Sequence, residues 1–223
     1  MSLIAENIER IKSQLPDGVK LVAVSKFHPL EQVQEAYATG QRIFGESHAQ
    51  ELVVKAPAMP DDVEWHFIGH LQRNKVRAVV PHVTMIQSVD SMRLLEAIEK
   101  EAARIAKTVD VLLQLHVAQE EAKSGFSIEE LLAAAREGQF KGFEHVRFRG
   151  LMAMATFTDV MTQVDREFAS VHKCFETLRS ESLFNNELFT EISMGMSDDW
   201  PVAVKNGATL VRIGTDIFGP RQY

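Results

Sequence analysis

The sequence predicts an α/β fold, a single (β/α)8 TIM barrel that spans residues 1–223 and carries an extra N-terminal helix. Three observations favour this fold. Apolar runs typical of buried parallel strands alternate with segments whose apolar residues recur at helical spacing. Eight strand candidates can be counted, whereas a doubly wound open sheet of this length usually has fewer strands. The length of 223 residues also lies within the range of such barrels.

The elements follow from these patterns in chain order. Apolar residues at helical spacing between charged ones predict an opening helix over Met1–Ile11. The expected strands are Lys20–Ser25, Arg42–Phe44, Trp65–Ile68, Met85–Ser88, Val109–Val117, Val146–Met154, Phe189–Ser193 and Thr209–Ile213. The expected later helices are Leu30–Thr39, Ala49–Lys55, Asn74–Val80, Met92–Lys107, Ile128–Arg136, Val160–Arg179 and Asp198–Asn206. Serines at 91 and 127 are expected N-caps, and glycines at 40, 138 and 207 are expected to end helices.

Composition argues against a nucleic-acid-binding, membrane-spanning or disulfide-rich secreted protein. Lys and Arg number 24 against 31 Asp and Glu, and a net charge of −7 argues against general affinity for nucleic acid or an anionic membrane. The single cysteine, Cys174, excludes an intrachain disulfide and fits a reducing compartment, and its helical context favours a packed thiol over a nucleophile. The N-terminus does not resemble a secretory signal, and no apolar stretch approaches the ~20 residues of a transmembrane helix. We therefore expect a cytoplasmic protein.

Lys26 is the first candidate functional residue, because it closes the apolar run Leu21–Ser25 and so lies at the end of the first strand. A strand-end amine is held rigidly, and partial dehydration disfavours its ammonium form. The neutral amine is the form that attacks an aldehyde to make a Schiff base. The alternative is a lysine whose ammonium simply reaches solvent.

The loops after strands seven and eight are the second candidate, since barrels often bind phosphate there. They are Ser193–Ser197, which leads into a helix at Asp198, and Gly214-Thr215. Glycine allows close approach of backbone N–H groups, hydroxyls add donors, and a helix N-terminus favours an anion. The alternative is that the acids at 198 and 199 satisfy those N–H groups themselves.

Strands one and eight are neighbours in a closed barrel, so Lys26 and the two loops should face one cavity. A small molecule with both an aldehyde and a phosphate would bridge them, and pyridoxal phosphate has both on one ring. Arg212, at the end of strand eight, would then be within reach of the ring nitrogen. A permanent cation cannot accept a proton from the ring nitrogen. The nitrogen therefore stays neutral, and the ring is a weaker stabiliser of carbanions. The alternative for Arg212 is an ion pair with Glu46.

Seven sequence stretches, spread from Leu21 to Gly219, resemble those of the YggS/PROSC group, the pyridoxal phosphate homeostasis proteins. They are Ala23–Lys26, Phe44–Glu46, Trp65–Lys75, Lys123–Gly125, Arg149–Met154, Ser193–Asp199 and Val211–Gly219. One departure is Ser47-His48, where the family usually has Asn-Tyr, so a rim contact to the cofactor would come from the shorter donor Ser47.

The resemblance implies a barrel like the N-terminal domain of alanine racemase. It implies pyridoxal phosphate held as an internal aldimine on Lys26, Arg212 at the pyridine nitrogen, and a monomer that keeps free cofactor low and delivers it transiently to apoenzymes without robust catalysis. Phosphate contacts are implied from Ser197, Gly214 and Thr215.

Three further residues belong to the expected site or its surroundings. Met194, in the loop after strand seven, is assigned to the cofactor-binding set. His66, on strand three, is interpreted as a residue of the cavity wall that contacts the ring. Its spacing from His70 resembles that of zinc ligands on a helix, but these two histidines lie on a strand and the following turn, so no metal site is predicted. Lys123, after strand five, is hypothesised to be a secondary encounter site, the alternative being an ordinary exposed lysine.

Two enzymatic hypotheses remain beside the carrier. An amino-acid racemase needs an acid/base group on each face of the ring. The only tyrosines are Tyr37, in a predicted outer helix, and Tyr223, the last residue, and the sequence leaves no room for a second domain. His66 or His116 could in principle substitute, but a strand histidine that faces a cavity is more often a packing or stacking group. A Schiff-base aldolase acting on a phosphosugar commonly places its lysine on a later strand, and strand six carries none. We therefore rank the carrier first.

Overall fold

The computed structural model describes residues 2–118 and 124–220, and within them the chain forms a closed barrel of parallel strands in sequential order from β1 to β8. The strands are β1 Lys20–Val24, β2 Ile43–Glu46, β3 Glu64–Phe67, β4 Met85–Val89, β5 Val109–His116, β6 Val146–Met154, β7 Glu191–Ser193 and β8 Leu210–Ile213. Each lies at its predicted place, including the short β2. The predicted (β/α)8 barrel is confirmed.

The helices surround the barrel in the predicted order. They are α1 Leu3–Gln14, α2 Leu30–Ala38, α3 Ala49–Lys55, α4 Val76–Val79, α5 Met92–Arg104, α6 Ile128–Arg136, α7 Met161–Ser180, α8 Trp200–Lys205 and α9 Thr215–Phe218, with 3-10 turns at Ala56–Ala58, Arg73–Lys75 and Val80–His82. The fourth is shorter than predicted, because the residues before Val76 form the 3-10 turn Arg73–Lys75, and Val80 begins a second 3-10 turn that contains Pro81, which has no N–H for the helical ladder. No helix of the described residues is long and apolar enough to cross a bilayer.

The predicted helix ends are found where they were expected. The hydroxyls of Ser91 and Ser127 accept bonds from the backbone N–H groups of Leu94 and Glu130. Glycines 40, 138 and 207 have φ angles of 86°, 74° and 87°, the left-handed conformation that closes a helix. These caps fix where each outer helix turns back toward the barrel.

The packing has two layers and one added helix. Inside the barrel, a small apolar cluster includes Val22, Leu112 and Met152, while a larger core fills the space between barrel and helices. The extra helix α1 buries three isoleucines, Ile4, Ile8 and Ile11, and packs against α2 and α9. Burying each such side chain contributes about 1.5–3 kcal/mol.

Candidate functional site

A cavity of about 320 Å³ opens at the carboxyl ends of the strands. Its size suits a small cofactor or substrate, and its position is the rim where barrels of this kind place their sites. Pairing of β1 with β8, with Ala23 opposite Ile213, brings the two ends of the chain to this rim. The lining residues are Val24, Lys26, His28, Ser47, Ile68, Met154, Phe157, Met196, Ser197, Asp198, Arg212, Gly214 and Thr215.

Six of the eight predicted cofactor residues line this cavity. They are Lys26, Ser47, Ser197, Arg212, Gly214 and Thr215. Among the described residues, His66 and Met194 are not part of the lining. Met194 is fully buried in the core between barrel and helices, since the preceding Ser193 points into the barrel and side chains alternate. A contact from Met194 to a ligand would therefore have to come from its backbone.

Arg212 forms the buried base of the cavity, with a relative exposure of 4%. Its Nη1 donates to Ser193 Oγ at 2.7 Å, and its Nη2 donates to the carbonyl of Ala153 at 2.9 Å. Burial lowers the pKa of the guanidinium to about 10, which still leaves it charged at neutral pH. The alternative ion pair with Glu46 is wrong, because the Glu46 carboxylate instead accepts bonds from Lys55 and Ser25.

A chain of neutral groups continues from Arg212 through the barrel interior. Ser193 Oγ donates a hydrogen bond to Gln87 Oε1 at 2.6 Å, and Gln87 Nε2 lies 2.8 Å from His66 Nδ1. Burial, helped by the charge of Lys20, lowers the pKa of His66 to about 3, so the imidazole is neutral and Nδ1 can accept the amide proton. We call His66, Gln87 and Ser193 the interior relay. His66 lies deeper than a cavity wall and reaches Arg212 through two intermediaries.

The loops after β7 and β8 form the wall beside the end of β1. Gly214 lies so close to β1 that a Cβ there would be 3.1 Å from the carbonyl oxygen of Val24. Gly195 has a φ of 93°, and a Cβ on it would come within 2.6 Å of the Ala203 Cβ. Asp199 Oδ1 accepts the N–H of Met196 at 2.6 Å, but Met196 lies in the loop and the Asp199 side chain makes no cap bond to α8, so the alternative that this acid satisfies the helix N-terminus is not confirmed. Because α8 has six residues and α9 four, an anion in this part of the cavity would be bound by hydroxyls and backbone N–H groups rather than by a long helix dipole.

Other candidate residues lie away from the cavity. The hydroxyl of Tyr37, near the end of α2, donates to Asp62 at 2.7 Å. Cys174 is buried in α7, and burial raises the pKa of its thiol to about 12, as expected for a packed residue. His70 pairs with Asp90 at 3.0 Å. Lys123, the hypothesised encounter site, lies outside the described residues.

Sequence reasoning missed a cluster of three charged residues beside Lys26. Lys55 Nζ lies 2.8 Å from Glu46 Oε1 and 2.8 Å from Glu51 Oε2, and both Glu46 and Lys55 are buried. The spacing of Glu51 and Lys55 in α3 was a usable signal, since residues four apart in a helix share a face. The burial of Glu46 at the end of β2 had no comparable signal.

Known proteins resemble this chain over its full length. The family described as the alanine racemase N-terminal domain matches residues 1–222. The pyridoxal phosphate homeostasis protein of Haemophilus influenzae is 37% identical, covering 100% of this chain and 95% of the relative. Its namesake in Schizosaccharomyces pombe is 34% identical, covering 99% and 94%.

Solved structures agree with this. PipY of Synechococcus elongatus is 38% identical, and the match covers 97% of this chain and 100% of PipY. The TM-score is 0.89 for the PipY structure without pyridoxal phosphate and 0.86 for the structure with pyridoxal phosphate bound. An alanine racemase from E. faecalis is 18% identical with a TM-score of 0.71 over 98% of this chain and 58% of the racemase. That second likeness shows the fold alone.

Proposed function

Since the chain belongs to the pyridoxal phosphate homeostasis protein family, we propose that it binds pyridoxal 5'-phosphate and attaches it to Lys26. The observation that carries the proposal is that Lys26 and the loops bearing Ser197, Gly214 and Thr215 line one cavity. An amine on one wall and anion donors on the other match a ligand with an aldehyde and a phosphate. The name of the family and the bound cofactor in PipY support the same ligand.

The donor set of the cavity fits this cofactor. Lys26 Nζ would bond to the aldehyde carbon with loss of one water, and the hydroxyls of Ser197 and Thr215 would bind the phosphate beside the close-approaching backbone of Gly214. Arg212 would meet the ring nitrogen, and Ser47 would offer a hydroxyl at the rim. When bound, pyridoxal phosphate supplies a reactive carbonyl and a ring able to accept electrons.

We propose that the protein acts as a carrier in pyridoxal phosphate homeostasis and not as an amino-acid racemase. Arg212 presents a permanent cation where a strong electron sink would need a proton on the ring nitrogen. Tyr37, the tyrosine of the described residues, is bound to Asp62 on the outer surface and is not in the cavity lining. Besides Lys26 and Arg212, the titratable side chains of the described lining are His28 and Asp198.

Spectral titration of the purified protein with pyridoxal phosphate tests this function. The wild type should develop the absorbance of a protein-bound imine, and Lys26→Ala should not. Lys205→Ala is the matched control, because this lysine is exposed and paired with Asp165 across the surface. An unchanged spectrum on Lys26→Ala would refute the attachment, whereas turnover of L-amino acids above about 1 s⁻¹ by the wild type would refute the carrier role.

We also propose that residues 1–223 act as one unit, that this unit is a cytoplasmic monomer, and that it passes its cofactor to apoenzymes through transient contact. The closed barrel formed by the described residues and the cavity at its rim support this arrangement. Light scattering after size-exclusion chromatography gives the mass of the particle. A mass close to 25.1 kDa is expected, and twice that value would refute the monomer.

A further inference from the structure

The peptide groups on either side of Lys26 are both tied to α3. The carbonyl of Ser25, which precedes Lys26, accepts a bond from Lys55 Nζ at 2.8 Å. The N–H of Phe27, which follows Lys26, donates to Glu51 Oε2 at 2.8 Å. The strand ladder ends just before this point, where Ser25 N–H donates to the carbonyl of Gly45 at 3.0 Å.

The conformation of this short segment needs such support. Phe27 has a φ of 64°, the left-handed region that costs a side chain with a Cβ free energy. A residue in this conformation persists when surrounding contacts hold it. Besides its N–H bond to Glu51, the Phe27 ring lies 4.8 Å from the ring of His48, whose Nδ1 is in turn 3.1 Å from Glu51 Oε1.

The charged groups that hold the segment are expensive to bury. The cluster contains two carboxylates and one ammonium, and within the described residues Glu46 Oε2 has no hydrogen-bond partner. Burial raises the pKa of Glu46, which shows the cost of keeping it charged. Replacing a buried ion pair by apolar residues is often neutral or stabilising. Stability therefore does not account for this cluster, and its contacts with Ser25 and Phe27 do.

We infer that Glu46, Glu51 and Lys55 are positioning residues that fix the backbone on both sides of Lys26 and so aim its amine into the cavity. This inference rests on the proposed attachment at Lys26. Lys55 is the central member, because its ammonium bonds to both carboxylates and to the Ser25 carbonyl. Ser25 is held a second time, by the bond from its hydroxyl to Glu46 Oε1 at 2.7 Å.

Substitution of Lys55 tests the inference against a matched lysine. Lys55→Met removes the central ammonium and keeps an apolar chain of similar length. Lys107→Met is the control: Lys107 Nζ also donates to two backbone carbonyls, those of Val80 and Pro81, at 3.0 Å each, but at the opposite end of the barrel. Amide hydrogen exchange of the segment around Phe27, measured without cofactor, reports how firmly the backbone is held.

We expect exchange in this segment to accelerate about tenfold or more in Lys55→Met, as loss of a charge-assisted bond allows, and to stay unchanged in Lys107→Met. The rate of borohydride trapping of pyridoxal phosphate on Lys26 should fall by a similar factor in Lys55→Met alone. Equal exchange in the two variants would overturn the inference, and so would faster exchange with unchanged trapping.

Two variants of Glu51 cover the case in which Lys55→Met does not fold. Glu51 is partly exposed, with 25% of its side chain accessible, so its replacement is tolerable. Glu51→Ala removes the acceptor of the Phe27 N–H, whereas Glu51→Gln keeps a carbonyl oxygen there. Faster exchange in Glu51→Ala with partial recovery in Glu51→Gln supports positioning, and equal behaviour of the two opposes it. If the wild type traps no cofactor, the proposed function is refuted. The hydrogen-exchange rates of the variants still decide whether Glu46, Glu51 and Lys55 hold the backbone around Phe27.

Discussion

The two ends of the barrel hold their charges in different ways. At the amino ends of the strands, charged side chains pair directly: Lys20 with Glu191 at 2.6 Å and Arg147 with Asp110 at 2.6 Å, with about half of each cation's side chain exposed. At the carboxyl ends, buried Arg212 is held by the hydroxyl of Ser193 and a backbone carbonyl. Neutral partners fix the guanidinium in place without a bonded carboxylate to neutralise it, so its charge can act on a ligand.

The cluster around Lys55, also at the carboxyl ends, does pair charges directly, but the side chains of Lys55 and Glu46 are only 7% and 0% exposed. Exposed ion pairs at the amino ends contribute little to stability, about 0–1 kcal/mol each. The buried pair of Lys55 and Glu46 carries a desolvation cost that such exposed pairs avoid. The carboxyl end therefore carries buried charged groups next to the cavity, whereas the cations of the amino-end ion pairs are about half exposed.

Removal of Arg212 should have the largest effect. Arg212→Met deletes the one guanidinium of the described cavity lining, and we expect the affinity for pyridoxal phosphate to fall by about 10–100-fold, as loss of a charge-assisted hydrogen bond implies. Arg42→Met, which removes an exposed arginine paired with Asp62, is the control and should leave affinity unchanged. Equal affinities for the two variants, measured by equilibrium titration, would contradict the difference drawn between the two ends.

Breaking the interior relay should have the next largest effect. Gln87→Leu leaves Ser193 and His66 without their shared partner, and we expect a loss of about 1–3 kcal/mol in the free energy of unfolding together with weaker cofactor binding. Gln41→Leu is a matched control, since Gln41 is also buried and donates to two backbone carbonyls, but at the amino end of the barrel. It should lose comparable stability and keep its affinity. Denaturant unfolding and titration of both variants separate the two outcomes.

The buried imidazole of the relay predicts a pH dependence of stability. The folded pKa of His66 is about 3, well below its usual value of about 6.5, so the unfolded chain binds a proton that the folded chain does not. The stability due to neutral His66 is fully present above pH ~6.5 and is lost as pH falls toward 3. Across that window wild type should lose about 1.4 kcal/mol per pH unit more than His66→Gln. Parallel curves would show that His66 does not stay neutral in the fold.

The smallest effect is expected at the amino end. Arg147→Met removes an ion pair with Asp110 in which 49% of the arginine side chain is exposed. We expect a change below about 1 kcal/mol in the free energy of unfolding and no change in cofactor affinity. A large change in either quantity, measured by the same unfolding and titration experiments, would mean that the amino end is coupled to the cavity.

Sequence patterns predicted most of the fold because apolar periodicity is local information. Each strand was found, and even β2 was placed correctly from a short run. The shortened α4 and the 3-10 turns around it were not predicted, because the helical apolar spacing continues while the backbone adopts 3-10 geometry at Arg73–Lys75 and at Val80–His82. Closure of the barrel then determined that strands one and eight are adjacent, which placed Lys26 beside Gly214 and Thr215.

The site was only partly readable from the sequence. Strand ends identify which residues lie at the rim, but the direction of the first side chain in each loop is hard to predict from sequence. In the structure Ser193, the last residue of β7, points into the barrel, and Met194 therefore points outward. The depth of His66 and its link to Gln87 depend on the register between β3 and β4, which the sequence alone does not determine. The same holds for Lys55, whose partners come from β1 and β2 as well as from its own helix.

Peptide mapping after borohydride reduction tests the central claim most directly. The protein is loaded with pyridoxal phosphate, reduced, digested and analysed by mass spectrometry. We predict one dominant adduct, on the peptide that contains Lys26, because that amine shares its cavity with Arg212 and the loop of Gly214 and Thr215. A dominant adduct on another lysine, or a reduced protein with unchanged mass, would contradict it.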